Sequence, residues 1–329
     1  MYPNDHPVDL TIIVPVFNAV DHLDNLDHSI RSINSDLRVQ TIYVDDGSTD
    51  GSADRIRVLA QGSADTIALF QPNSGAGHAR NLGWDHAAGR YTLFFDADDR
   101  LHIGAIPPVI AQMDADPRID VAVLAYRSER QDIAHSSGMI PQDVEAFNQL
   151  LGSANEESGS LEDFARLLTI TNYPWNKIQR TDRYRKTGMR FGRTKVNNDI
   201  LGHWYSLLYA RRILLSRDEL CTHVVHPAGA NLTNQQGMVR LQMFDALDEL
   251  YDLLRTEPVL RQRYAHLFWS FVLTLFKWAR SKIVPEAQDE YNRRMADLIM
   301  RIDLLDFARM RNGRAPSVAS ELSKILTSR

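Results

Sequence analysis

The 329-residue chain holds a single cysteine, Cys221, which excludes a disulfide framework and any zinc site built on several thiolates. A reducing, cytoplasmic setting is the expectation that follows. Long hydrophobic runs are also missing. The longest nearly uncharged apolar stretch, residues 266–276, lies between Arg263 and Lys277 and falls short of the roughly 18 to 20 residues that cross a bilayer. The opening residues, MYPNDHP, have neither the basic start nor the apolar centre of a secretory signal. There is no basic excess: the formal net charge is -5 and the isoelectric point is near 6.1, so no nucleic-acid partner is expected. Repeats and low-complexity segments are absent, and 44% hydrophobic with 24% charged residues is the balance of a globular protein with a sizeable core. Two nucleotide signatures are lacking as well. No Gly-Lys-Ser/Thr marks a Walker loop, and Gly75-Ala76-Gly77 has no third glycine to make a dinucleotide fingerprint, which weighs against a kinase and a dehydrogenase.

What the sequence does contain is an alternation of strand and helix patterns. Residues 10–17 (LTIIVPVF) read as a buried strand, residues 20–34 place Leu23, Leu26, Ile30 and Ile33 at helical spacing, and 39–44 read as a second strand. Residues 45–52 (DDGSTDGS) form a turn in which Ser48, Thr49 or Asp50 can cap the next helix. A third strand over 66–70, a helix over 77–88 and a fourth strand over 91–95 follow, which together predict a parallel α/β sheet. Residues 103–113 fit a helix and 119–126 a strand. Residues 131–160, polar and broken by Gly138, Pro141, Gly152 and Gly159, read as an irregular excursion beside the site. From Gly237 onward the pattern is helical, which sets a boundary near Gln236. Within this tail Tyr264, Leu267, Phe268, Phe271, Val272, Leu275 and Phe276 line one apolar face, suited to packing on the rest of the chain or on a second copy. Residues 255–329 carry 14 basic and 8 acidic side chains, which also allows peripheral docking on an anionic membrane.

The chemistry gathers just after the strands. In open α/β sheets the ligand crevice lies beyond the carboxyl ends of the strands, so Asn18, Asp45, Asp46 and Asp96 to Asp99 converge there. Asp96 and Asp98, one residue apart in FFDADD, can present oxygens to one hard cation, Mn2+ or Mg2+, and an uncompensated acidic cluster beside an apolar strand is costly. The segment NSGAGHARNLG (residues 73–83) feeds a glycine loop into a helix, with free backbone N–H groups and Arg80 placed to meet a diphosphate. Each feature has a plainer alternative: Asp45-Asp46-Gly47 and the acidic triplet as turns, Trp175 as a core residue, and Asp199 as a helix cap.

The combination resembles the family 2 glycosyltransferases, inverting enzymes of the GT-A fold that use nucleotide-diphosphate sugars. The matching stretches are TIIVPVFNA (11–19), YVDDGSTDGS (43–52), NSGAGHARNLG (73–83) and FFDADD (94–99), in the family's order and spacing; YPWNKI (173–178) and Asn198-Asp199 continue the likeness. The resemblance implies a GT-A-like mixed, mainly parallel sheet flanked by helices in residues 1–236, with about 1–100 binding the nucleotide sugar and about 101–236 facing the acceptor, followed by a helical region over 237–329. It implies that Pro15, Phe17, Asn18 and Ala19 flank the nucleotide, that Asp45 and Asp46 hold its base and ribose, and that Gly75, Arg80, Asp96 and Ala97 line the donor. Asp96 and Asp98 become the metal pair. His226, a lone histidine after residues 221–225, has three readings: a further metal ligand, a diphosphate contact or a structural histidine. Asp199 becomes the general base, with Trp175 and Asn198 on the acceptor side. Family members commonly carry glutamate at the position of Asn198, and its loss removes a neighbouring charge that would otherwise strengthen the base. The function implied is metal-dependent transfer of a hexosyl or N-acetylhexosaminyl group, from a UDP-sugar by family frequency, to a glycan or lipid-linked acceptor. The expected place is the cytoplasm or the inner face of the cell membrane. A nucleotide-sugar-binding or scaffold subunit without turnover is the competing reading.

Overall fold

A computed structural model describes residues 8–33, 36–130, 137–225 and 237–327. Its elements run β1 (Leu10–Val16), α1 (Val20–Arg31), β2 (Val39–Asp45), α2 (Ser52–Gln61), β3 (Thr66–Phe70), α3 (Ala76–Asp85), β4 (Tyr91–Phe94), β5 (Arg100–Leu101), α4 (Ile106–Ala115), β6 (Ile119–Arg130), β7 (Ser137–Gly138), α5 (Pro141–Leu151), β8 (Glu156–Gly159), β9 (Lys177–Arg180), α6 (Thr181–Thr187), α7 (Asp199–Leu208) and β10 (Arg212–Val225). The tail adds α8 (Gln242–Thr256), α9 (Pro258–Arg280), α10 (Gln288–Met300), α11 (Leu304–Arg309) and α12 (Pro316–Thr327).

One ten-stranded sheet runs β3-β2-β1-β4-β9-β6-β10-β5, with β7 on β6 and β8 on β10. The first four strands in sequence pair in parallel. Then β9 enters antiparallel between β4 and β6, and β10 lies parallel to β6. The result is the mixed sheet expected. Side chains alternate across it with period two: Ile13 joins the core on one face, while Ile12 and Val14 join the core on the other.

Three local expectations need correction. Residues 131–160 are not an irregular excursion: α5 and β8 occupy their described part, with Ala146, Phe147 and Leu151 buried at helical spacing. Pro141 and Gly152, taken for breakers, stand at the first position and just beyond the end of α5, where proline and glycine are tolerated. The cap of α2 is Gly51 rather than Ser48, Thr49 or Asp50, although Asp50 Oδ1 accepts the Ser52 N–H at 3.0 Å. Finally, a 3-10 turn at Ile103–Ala105 precedes α4, because the two prolines that follow fit only its first positions.

The apolar face of α9 packs on the rest of this chain. Tyr264, Phe268, Phe271, Val272 and Phe276 are buried, and the Trp204 ring of α7 meets Phe268 and Phe271 at 6.0 and 5.9 Å. One hydrophobic cluster extends from Ile13 in the sheet through α7 to Leu322 in α12. That face is therefore largely spent within the molecule. Among the described residues no helix is long and apolar enough to cross a membrane.

Candidate active site

The loops after β1 and β2 are stitched together by side chains on the second of them. Ser48 Oγ accepts the Asn18 N–H at 3.0 Å, Ser52 Oγ the Ala19 N–H at 3.0 Å, and Asp50 Oδ2 the Val20 N–H at 3.1 Å. Asn18 returns the contact by accepting the Thr49 N–H at 2.8 Å, and these bonds hold it at φ 50°, a conformation that costs a non-glycine residue energy. Beside it Phe17 stands half exposed at 50%, Pro15 and Ala19 are partly buried, and Asn18 is open to solvent.

Asp45 and Asp46 are buried and point different ways. The Asp45 carboxylate accepts the Gly47 and Ser48 N–H groups at 3.2 Å, closing its own turn. Asp46 anchors the glycine loop: it accepts from Gln71 Nε2 and the Ser74 N–H at 2.7 Å and from the Gly75 N–H at 2.8 Å. Only glycine fits at position 47, where φ is +76° and a Cβ would lie 2.8 Å from the Asn73 nitrogen.

From that loop α3 carries Arg80 into the interior, where it is 4% exposed. Arg80 Nη2 donates to Asp96 Oδ1 at 2.6 Å and Nη1 to Asn198 Oδ1 at 2.8 Å, with the Phe191 ring beneath the guanidinium at 5.3 Å. One side chain thus joins the first aspartate of the acidic triplet to the start of α7. In this arrangement Arg80 is bonded to Asp96 and Asn198 and presents no exposed face of its own. Asn198 likewise is buried.

The acidic triplet follows β4. Asp98 is pushed up to about 6, first by burial and then by the like charges of Asp99 and Asp96. Asp99 accepts from His223 Nδ1 and the Val224 N–H, both at 2.9 Å, while its Oδ2 is buried without a partner. Ala97 is buried between them. Among the described residues no group of three or more His, Cys, Asp and Glu is placed to enclose an ion. The donor set is nonetheless hard oxygen, and the orphaned Asp99 oxygen and the crowded charge are costs a divalent cation would relieve. The residues fit a hard divalent cation, Mn2+ or Mg2+, which Asp96 and Asp98 would hold. His226 lies outside the described residues.

Asp199 is the first residue of α7, following Asn198 at the cap position, and no side-chain hydrogen bond caps this helix. Among the described residues its carboxylate meets no side-chain hydrogen-bond partner. It is pushed up to about 6 by burial, against the pull of Arg80 and Lys177. Burial therefore outweighs the loss of a charged neighbour at position 198. Trp175 is 1% exposed, stacked on Tyr173 at 4.1 Å and flanked by Tyr126 at 5.1 Å and His223 at 5.4 Å, so no face is free to stack on a sugar.

Several residues of the site were not singled out in the sequence. Lys177 is buried, donates to the Tyr173 carbonyl at 2.6 Å and Asn176 Oδ1 at 2.7 Å, and is held down to about 7 by burial despite the charges of Asp199 and Asp143. A lysine opening an apolar strand was the available signal. Gln242 and Glu249 of α8 reach the loop before α7, accepting from the Lys195 N–H at 2.8 Å and Arg193 Nε at 3.1 Å. No local pattern marks those two.

A parallel half-sheet with acidic and glycine loops at its strand ends, joined through Arg80 to the start of the helix that begins at Asp199, is the arrangement of a GT-A-type glycosyltransferase. Residues 11–201, more than half of the chain, match the Glycosyl transferase family 2 model, and the protein belongs to that family. It is similar to the uncharacterized glycosyltransferase YibD of Escherichia coli K12, 25% identical over 232 residues, covering 69% of this chain and 64% of YibD. It is also similar to the undecaprenyl-phosphate 4-deoxy-4-formamido-L-arabinose transferase of Edwardsiella ictaluri, 33% identical over 127 residues, covering 37% of this chain and 38% of that protein. The chain thus spans less than two thirds of the length of these curated relatives. Among solved structures, S. aureus TarS 1-349 in complex with UDP-GlcNAc superposes with a TM-score of 0.71 at 17% identity, covering 98% of this chain and 91% of that one, which is a likeness of fold.

Proposed function

We propose that the protein is a metal-dependent, inverting transferase that moves a hexosyl or N-acetylhexosaminyl group from a UDP-sugar to a hydroxyl of a glycan or lipid-linked acceptor, in the synthesis of cell-surface polysaccharide or glycolipid. The observation that carries it is Asp199: a carboxylate without a side-chain partner, tuned toward neutrality, and tied through Asn198 and Arg80 to the acidic triplet. The UDP complex of a neighbour of like fold supports the choice of base.

The residues divide the work. The β1 and β2 loops, fixed by Ser48, Asp50 and Ser52, make a rigid wall for the nucleotide, and Asp46 holds the glycine loop in place for the diphosphate. Asp96 and Asp98 would hold the divalent cation, which when bound neutralises charge on the departing diphosphate. Arg80 fixes Asp96. Asp199 takes the proton of the acceptor hydroxyl, whose oxygen bonds to the anomeric carbon as the bond to the diphosphate oxygen breaks with its electron pair. A single displacement inverts the anomeric centre and needs no nucleophilic side chain.

The test is release of nucleoside diphosphate from UDP-, GDP- and dTDP-sugars with Mn2+ or Mg2+, comparing wild type with Asp98→Asn. Cation-dependent release from one donor, lost in the variant, is expected. Binding without turnover of any donor would favour a non-catalytic subunit, and no binding at all would overturn the assignment of the aspartates.

A further inference from the structure

Residues 188–198, between α6 and α7, form no helix or strand, yet Asp199 stands at their end. A segment without its own ladder of backbone bonds takes its shape from the groups around it. Helix α3 holds both ends of this one. Asn81 Oδ1 accepts the Phe191 N–H at 2.8 Å and Asn81 Nδ2 donates to the Phe191 carbonyl at 3.0 Å, while Arg80 Nη1 donates to Asn198 Oδ1 at 2.8 Å. Between those ends the hold passes to the helical tail. Gln242 Oε1 accepts the Lys195 N–H at 2.8 Å, Glu249 Oε2 accepts the Arg193 N–H at 3.3 Å, and Glu249 Oε1 accepts from Arg193 Nε at 3.1 Å. Gln242 and Glu249 are seven residues apart on α8 and so share one face of it, and the helix is fixed by buried Met243, Phe244, Leu247 and Leu250. The loop they touch has little slack. The Gly192 N–H donates to the Asn198 carbonyl at 2.8 Å, closing residues 192–198 on themselves, and Asn197 lies at φ 59°, which costs a non-glycine residue energy. On the opposite side the loop lies hard against α3, where a Cβ at Gly77 would come 2.1 Å from the Gly192 oxygen. A displacement at residues 193–195 is therefore carried to Asp199.

We propose that Gln242 and Glu249 are positioning residues for the transfer: from the helical tail they hold the 192–198 loop against α3 and so set where Asp199 stands relative to the attacking oxygen. The proposal rests on the reading of Asp199 as the base. Stability and catalysis weigh these contacts differently. The Arg193 side chain is 79% exposed, so its pair with Glu249 contributes little to folding, whereas displacing a base by about 1 Å can cost about a hundred-fold in rate. Loss of the contacts thus appears in kcat before it appears in the melting temperature. The donor side, fixed by Asp46 and the β1 and β2 loops, is untouched by them.

The experiment is hydrolysis, with water as acceptor and Mn2+ present, of whichever of UDP-N-acetylglucosamine, UDP-glucose, GDP-mannose and dTDP-rhamnose wild type cleaves fastest. Wild type is compared with Gln242→Leu, Gln242→Glu, Glu249→Ala and the double variant Gln242→Leu/Glu249→Ala, with melting temperatures for each. Each loss of an acceptor oxygen is expected to lower kcat about ten-fold, and the double variant more, while donor KM stays within about two-fold. Gln242→Glu keeps the oxygen and is expected to keep kcat. The acid limb of kcat is expected to move to lower pH in Gln242→Leu, because a loosened start of α7 admits water to a carboxyl that burial holds up; Arg80, Asp96 and Lys177, the charged groups facing it, are unchanged. Asp252→Asn, on the same helix but bonded to Arg301 within the tail, serves as the control and is expected to leave kcat as it is. Wild-type kcat in Gln242→Leu and Glu249→Ala, a raised donor KM in place of a lowered kcat, or an equal loss in Asp252→Asn would each overturn the proposal. Should the double variant not fold, Gln242→Leu against Gln242→Glu decides. Failure of the underlying reading looks different: Asp199→Asn would turn over as wild type does, or wild type would cleave none of the four donors, and the proposal falls with it.

Discussion

On the proposed reading Asp199 is the base, so its ionisation is expected to set how the transfer rate depends on pH. Its carboxyl titrates at about 6 instead of 3.8, so about nine tenths is ionised at pH 7 and about one tenth at pH 5. Only the ionised form takes the acceptor proton, and kcat at saturating donor, acceptor and cation is expected to fall about ten-fold from pH 7 to pH 5. A carboxyl at its ordinary value would still be about nine tenths ionised at pH 5 and would leave kcat nearly flat. Asp98 also titrates at about 6, but its proton competes with the cation. An acid limb due to Asp98 moves to lower pH as Mn2+ is raised, whereas the limb due to Asp199 stays in place. The same burial affects stability with a definite sign. Because the folded pKa lies above the unfolded one, the cost of an ionised Asp199 is absent below about pH 3.8, grows as pH rises toward 6, and is fully present above it. Asp199→Asn removes that cost, so the variant is expected to be inactive yet more stable at pH 7.5 by up to about 3 kcal/mol, with no gain near pH 4. A stopped assay of nucleoside diphosphate release from pH 5 to 8 and thermal melts at both pH values check this. A flat profile at saturating Mn2+, or wild-type turnover by the variant, would refute the reasoning.

Other substitutions separate the parts of the site. Gly77→Ala places a methyl group 2.1 Å from the Gly192 oxygen, so the loop bearing Asp199 must move, and turnover is expected to fall about a hundred-fold with a lower melting temperature; Gly104→Ala, with nothing within 4 Å, serves as the neutral control. Lys177→Met removes a cation that favours ionised Asp199, so the acid limb of kcat is expected to move to higher pH, measured in the same assay. Trp175→Phe is expected to cost about 1 to 3 kcal/mol of stability while donor and acceptor KM stay unchanged, since the ring is enclosed by aromatic neighbours. A raised acceptor KM without loss of stability would show that the indole does meet a sugar.

The nucleotide half was legible because its elements are local. Each strand there is a short apolar run ending in polar turn residues, and parallel pairing follows from the helices between them, so placing Asp46 and the acidic triplet at the same edge of the sheet, on strands either side of β1, needed no knowledge of distant contacts. The acceptor half was harder for a physical reason. Its strands β6, β9 and β10 pair in mixed directions over long sequence separations, and α5 hides its apolar face between a proline and a glycine that signal a loop when read singly. Trp175 could be read as core or as a sugar platform because a tryptophan serves both, and only its enclosure by Tyr173 and Tyr126 decides. Arg80 was marked from its place one turn into a helix, but its partners at 96 and 198 come from folding.

The tail after residue 236 shows why some function leaves no motif. Gln242 and Glu249 act on the loop before α7 through ordinary side-chain contacts, and Phe268 and Phe271 support α7 through the Trp204 ring. Any amphipathic helix with an amide and a carboxylate at suitable turns could do this, so the residue types carry no signal of their own. Their effect is nonetheless on the chemistry. On the proposed reading, Asp199 as base needs a helix that cannot tilt, and a loop of seven residues, 192–198, would not supply that alone. The hydrophobic cluster that runs from the sheet through α7 into α12 supplies it, which makes the helical region a support for α7 rather than an appendage.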